Sequence, residues 1–182
     1  MAKIDRFASQ LLEEAKRFLE KAKQEENKHG KDAYLHAAIL LAFASVEAHI
    51  NAIADEKLMM ENLSVLEKSI LAERAFELVA GRFQLNENKV KMYRLNERIE
   101  FIYRRFAHTA INKEEASWWG PLKEAEKKRN ALVHARDYLE MSEKDVELAI
   151  NSILEFLNVL YLALYNSKYP AYGRKLHSKM LF

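Results

Sequence analysis

The stretch KKRNALVHAR, residues 127–136, sets a guanidinium at Arg129, a carboxamide at Asn130 and an imidazole at His134 close together in one short run. An imidazole exchanges a proton near neutral pH, and a guanidinium grips an oxyanion through two parallel hydrogen bonds. Such groups can carry acid–base chemistry on an anionic substrate. Their neighbours are good helix formers. On a helix each residue advances about 100°. Leu122, Ala125, Arg129, Leu132 and Arg136 then share one stripe, with Arg129 in its middle. Asn130 and His134 are one turn apart and share a second face, at the stripe's flank or in solvent. Arg129 and His134 lie about 140° apart around the axis, so one helix does not make them neighbours. A long arginine curling round, or a second copy of the helix, would bring them together.

A guanidinium on an apolar stripe needs a partner, because burying it alone is expensive. Glu47 offers one: it is an acid inside AYLHAAILLAFASVEAHINAIA, residues 33–54, the most apolar run of the chain. Two readings follow. Arg129 and Glu47 form an ion pair tying two core helices together, with His134 an incidental surface histidine; or these residues form a reactive site.

The elements that must hold them are helical. Only four Gly and two Pro punctuate 182 residues, a composition that points to an all-α single domain spanning 1–182. Hydrophobic periodicity predicts bundle helices at about 4–28, 33–55, 121–137 and 143–166, with further helices inserted over about 64–107. The first has Ile4, Phe7, Leu11, Leu12, Phe18, Leu19 and Ala22 as its inner face. Asn27 to Lys31 reads as a polar break around Gly30, with Asp32 capping the second helix. SVLE, residues 64–67, is a capping box that opens a third helix, ended by Gly81; Asn86 starts a fourth, about 87–107. Pro121 suits the first position of the fifth helix, and SEKD, residues 142–145, caps the sixth.

The motif RNALVH, Arg129 to His134, resembles the R-N-x-x-x-H motif of the HEPN superfamily (higher eukaryotes and prokaryotes nucleotide-binding). AFASVEAHINAIA, residues 42–54, is similar to the second helix of many HEPN proteins, where a Ser-x-Glu-like pattern lies in an apolar helix. The likeness covers the four bundle helices and says little about residues 56–110 or the tail. It implies a HEPN-like four-helix bundle with additional helices between the second and the penultimate. It further implies a homodimer with two such motifs at one cleft and a metal-independent endoribonuclease, a hydrolase of toxin–antitoxin or defence type. Arg129, Asn130 and His134 would be catalytic, with Glu47 a supporting acid. A ribose 2′-OH would attack the adjacent phosphate and expel the 5′-oxygen, leaving a 2′,3′-cyclic phosphate and a 5′-hydroxyl. No cofactor is implied; the partners are RNA, a second copy and an antitoxin of nucleotidyltransferase type. The alternative within the resemblance is a non-catalytic HEPN-like protein that binds a nucleotide, RNA or another protein.

Other features carry less. With 29 basic against 27 acidic side chains, the net charge of +2 does not announce a nucleic-acid binder. Cysteine is absent, which excludes disulfides, thiolate metal sites and cysteine catalysis and makes a reducing cytoplasm the expected compartment. Run 33–54 is long enough for a membrane span, but His36, Ser45, Glu47, His49 and Asn51 interrupt it, so it reads as a core helix. His29, His36, His49, His108 and His177 are scattered without metal-ligand spacing. FIYRRFAH, residues 101–108, and YGRKLHSK, residues 172–179, mix aromatics with cations as single-stranded RNA binders do. The plainer reading is an amphipathic helix with a basic edge and a partly disordered tail. Trp118 and Trp119 are either a base-stacking platform or a wedge holding a loop on the bundle. Neither a glycine-rich phosphate loop nor a GxSxG elbow is present.

Overall fold

The computed structural model describes residues 3–134 and 139–182. Among them are six α-helices and one two-stranded sheet: α1 Lys3–Gln24, α2 Lys28–Leu58, α3 Val65–Ala72, β1 Arg74–Val79, β2 Arg82–Val90, α4 Leu95–Phe106, α5 Trp119–Val133 and α6 Glu143–Tyr165. Ile4 and Arg136, assigned above to inner faces, lie outside the residues whose side chains are described.

The core is a helical bundle. α2 packs along α1 and touches α5 and α6, and α6 touches α1 and α5. α2 is apolar nearly all round and buries Leu35, Ile39, Phe43, Val46, Ile50 and Ile53, so it must be covered on several sides. α2 and α6 are both long and apolar enough to cross a membrane, yet here their buried residues join one cluster with Leu12 and Leu19 of α1. Caps set several boundaries. Ser64 accepts from the Glu67 N–H while the Glu67 carboxylate accepts from the Ser64 N–H. Ser142 and Asp145 repeat this arrangement at α6.

Three expectations need correction. The fold is not all-α: residues 74–90 form an antiparallel hairpin where helices were expected on both sides of Gly81. α3 stops at Glu73, whose φ is 50° and ψ 45°. Ala80 and Gly81 both have positive φ, 49° and 77°, the backbone that a two-residue hairpin turn requires. Phe76 pairs with Leu85 and Leu78 with Phe83, so alternation rather than helical period organises this stretch. α4 accordingly begins at Leu95, not near Asn86.

Second, α2 begins at Lys28. Asn27 is its cap, with Oδ1 accepting from the Gly30 N–H at 3.1 Å, so the break falls at residues 25–27 rather than 27–31 and Asp32 lies inside the helix. Pro121 likewise sits inside the first turn of α5, which opens at Trp119; its missing N–H costs nothing there.

Third, the tail is ordered against the bundle. Tyr169 and Ala171 are buried, a 3₁₀ turn spans Tyr172–Arg174, and the Ser178 hydroxyl donates to the Glu13 carbonyl at 2.8 Å. Trp118 is also buried, against Trp119 and Phe156, which is the wedge arrangement.

Candidate functional site

An open cleft of about 550 Å³ lies between α5, the middle of α2 and the turn that leads from β2 into α4. Arg129 and Asn130 line it from α5, and Glu47 and Asn51 from α2. Arg129 sits on the half-buried stripe its spacing predicts. Its Nη2 donates to Glu47 Oε1 at 2.9 Å, and the guanidinium carbon lies 5.3 Å from the Phe43 ring centre. The expected ion pair therefore exists. It is not a sealed one, because the two side chains are 21% and 48% exposed. Arg129 Nε is buried without a hydrogen-bond partner among the described residues.

His134 is not beside these groups. It caps the C-terminus of α5 with φ −109° and ψ 40°, so helical stepping ends at Val133. Its side chain is exposed and does not line the cleft. Within one chain, then, three of the four expected site residues share the cleft, and the imidazole lies outside its walls.

Sequence reading missed a second arginine in the same cleft. Arg98 Nη1 donates to Asn51 Oδ1 at 2.7 Å and to Glu73 Oε2 at 2.9 Å, and Nη2 donates to the Leu71 carbonyl at 3.2 Å. Its side chain is almost fully buried. Burial pulls this guanidinium below its ordinary range, opposed by Glu73, Asp55 and Glu47; an arginine still keeps its proton at neutral pH. The signal was available, since Arg98 lies with Leu95, Ile99 and Ile102 on the inner face of α4. Glu47 and Asn51 are one turn apart on α2, so one helix face holds both arginines.

The cleft rim adds Lys123, Lys127 and Arg94. Lys123 and Lys127 pair with Glu126 and Glu124, while Arg94 has no ion-pair partner among the described residues. The lining carries Arg94, Arg98, Lys123, Lys127 and Arg129 against Glu47, Glu73 and Glu126, so its surplus of positive charge can hold an anion at the edge. No group of His, Asp and Glu suited to a metal ion occurs among the described residues. His49 is a core residue, its Nδ1 2.8 Å from the Ser45 carbonyl. Arg105 bonds Glu67 at 2.5 Å rather than standing free.

No family model, curated protein or solved structure matches the chain.

Proposed function

We propose that the chain is a HEPN-type, metal-independent endoribonuclease that works as a homodimer in the cytoplasm, with the Arg129 cleft as its substrate site. The observation that carries this reading is the gathering of Arg129, Asn130 and Glu47 on one open, cation-rimmed cleft. In the proposed mechanism Arg129 steadies charge on the phosphoryl oxygens. Glu47 holds the guanidinium in place through the 2.9 Å bond. His134 takes the proton of the attacking 2′-OH, and as the 2′-oxygen bonds to phosphorus the P–O5′ bond breaks, the leaving oxygen being protonated to a 5′-hydroxyl. Because His134 stands at the exposed end of α5, beside exposed Val133, the imidazole at each cleft is supplied by the second copy. A nucleotidyltransferase-type antitoxin would be the natural partner of such an enzyme.

The test is incubation of purified protein with end-labelled RNA in EDTA, with the products examined for 2′,3′-cyclic phosphate ends. Cleavage by the native chain that is lost in both His134→Ala and Arg129→Ala, with the dimer intact, supports the reading. Full activity in His134→Ala ends the catalytic role of this residue.

A second reading has its own observation. Arg129 already has a carboxylate partner and His134 lies outside the cleft, as suits a non-catalytic HEPN-like protein that binds a nucleotide, RNA or protein. Retention of RNA without cleavage, weakened by Arg129→Ala and untouched by His134→Ala, would select it.

A further inference from the structure

A second cleft, of about 630 Å³, lies between the N-terminal half of α1 and the tail. It shares no lining residue with the Arg129 cleft. Arg6, Ser9 and Gln10 of α1 form one wall, and Arg174 and Lys179 of the tail approach from the other. Pro170, Ala171 and Met180 add an apolar side.

The electrostatics beneath this cleft are unbalanced. Glu13 is 1% exposed and Lys16 0%. Lys16 Nζ reaches Glu13 Oε1 at 3.3 Å, and Arg174 Nη2 donates to the same oxygen at 2.7 Å. The Lys179 backbone N–H donates to Oε2 at 2.7 Å. One buried carboxylate thus serves two cations and a backbone donor. Arg6 stands at the rim with no ion-pair partner among the described residues, and the Lys179 ammonium has none either. Burial raises the Glu13 carboxyl, but the Lys179 N–H and Arg174 outweigh it and hold it below the ordinary range. Burial pulls Lys16 down, with Glu13 opposing. Beside the cleft, Glu14 accepts from Gln10 Nε2 at 2.8 Å and Glu20 pairs with Arg17 at 3.0 Å, but in the lining itself Arg6, Arg174 and Lys179 face one acid, Glu13, and that excess of positive charge attracts an anion.

We propose that this cleft is a binding site for a small phosphoryl anion, held by Arg6, Arg174 and Lys179, with Ser9 and Gln10 as neutral hydrogen-bonding groups. Two guanidinium groups and an ammonium match the several oxygens and double charge of a phosphate better than they match one carboxylate. The apolar side accommodates an organic substituent on the phosphate. The site is independent of the ribonuclease reading, since it uses neither the motif nor its cleft.

The experiment is titration of the full chain with inorganic phosphate and with phenyl phosphate, followed through backbone amide shifts. The expected result is saturable shifts at Ser9, Gln10, Ala171 and Met180, which line the cleft, with affinity about ten-fold weaker in Arg6→Ala and in Lys179→Ala. Tighter binding of phenyl phosphate assigns the apolar side to an organic phosphate; equal binding assigns the site to inorganic phosphate. Both variants leave Glu13 and Arg174 in place, so the tail should stay docked, and the unbound spectra check this. Shifts that do not saturate, that fall elsewhere in the chain, or that are unchanged in both variants overturn the proposal.

Discussion

Arg98 and Arg129 face the same cleft and are held by residues one turn apart on α2, yet they are bound differently. Arg98 places three hydrogen bonds on Asn51, Glu73 and the Leu71 carbonyl, with its side chain 6% exposed. Arg129 makes one hydrogen bond among the described residues, to a half-exposed carboxylate. The Nε of each arginine is buried without a partner among the described residues, but a guanidinium with both terminal nitrogens bonded in the interior ties elements together, here α4 and the end of α3 to α2. A guanidinium with donors to spare at an open surface can serve a ligand.

The sharpest way to break this contrast is to remove each arginine and measure two quantities. On the proposed ribonuclease reading, Arg129→Ala should lower RNA cleavage by about 10²–10³-fold while changing the unfolding free energy by about 1 kcal/mol, as for an ion pair open to solvent on one side. His134→Ala should lower cleavage by about 10²-fold or more with still less effect on urea denaturation. Arg98→Ala should do the reverse, costing about 3 kcal/mol of stability because Glu73 and the Leu71 carbonyl lose their partner in a buried setting. Equal stability losses for Arg98→Ala and Arg129→Ala would erase the distinction.

A smaller effect sharpens the picture of the wall that carries Arg98. The Ser64 N–H, then the Arg105 guanidinium, hold the Glu67 carboxyl down to about 2. Since its unfolded value is about 4.3, the stabilisation is present above that pH and is lost as pH falls through the folded value. Glu67→Gln should remove about 0.5–1 kcal/mol at neutral pH, discounted because the half-buried carboxylate still meets solvent. Acid titration of stability in the variant should be flatter between about pH 4.3 and 2 than in the native chain. The smallest expected change is Gly81→Asn, about 1 kcal/mol or less, because the turn needs a φ of 77°, which Asn tolerates better than other side chains, and nothing crowds the position. Thermal melts followed by circular dichroism would read it.

The hairpin shows where one-dimensional reading fails. ERAFELV, residues 73–79, is rich in Ala, Glu, Leu and Arg, which favour helix. Its alternation becomes visible only when Phe76 and Leu78 are set against Leu85 and Phe83 across the Ala80–Gly81 turn. Gly81 was rightly seen as a stop, but of a strand. By contrast, both capping boxes were legible, since each needs only residues three apart. The Arg129–Glu47 pair was legible too, because a charge on each of two apolar stripes has few other ways to be accommodated. Arg98 carried the same signal on the stripe of α4 and was passed over.

Sequence alone determined the helical core, the stripe positions of Arg129 and Glu47 and the caps of α3 and α6, because period, propensity and capping act over a few residues. Tertiary structure alone decided that α5 ends before His134, that Asn51 and Glu73 converge on Arg98, and that the tail closes over Glu13. Those outcomes depend on which distant surfaces compete for the same donors and apolar faces.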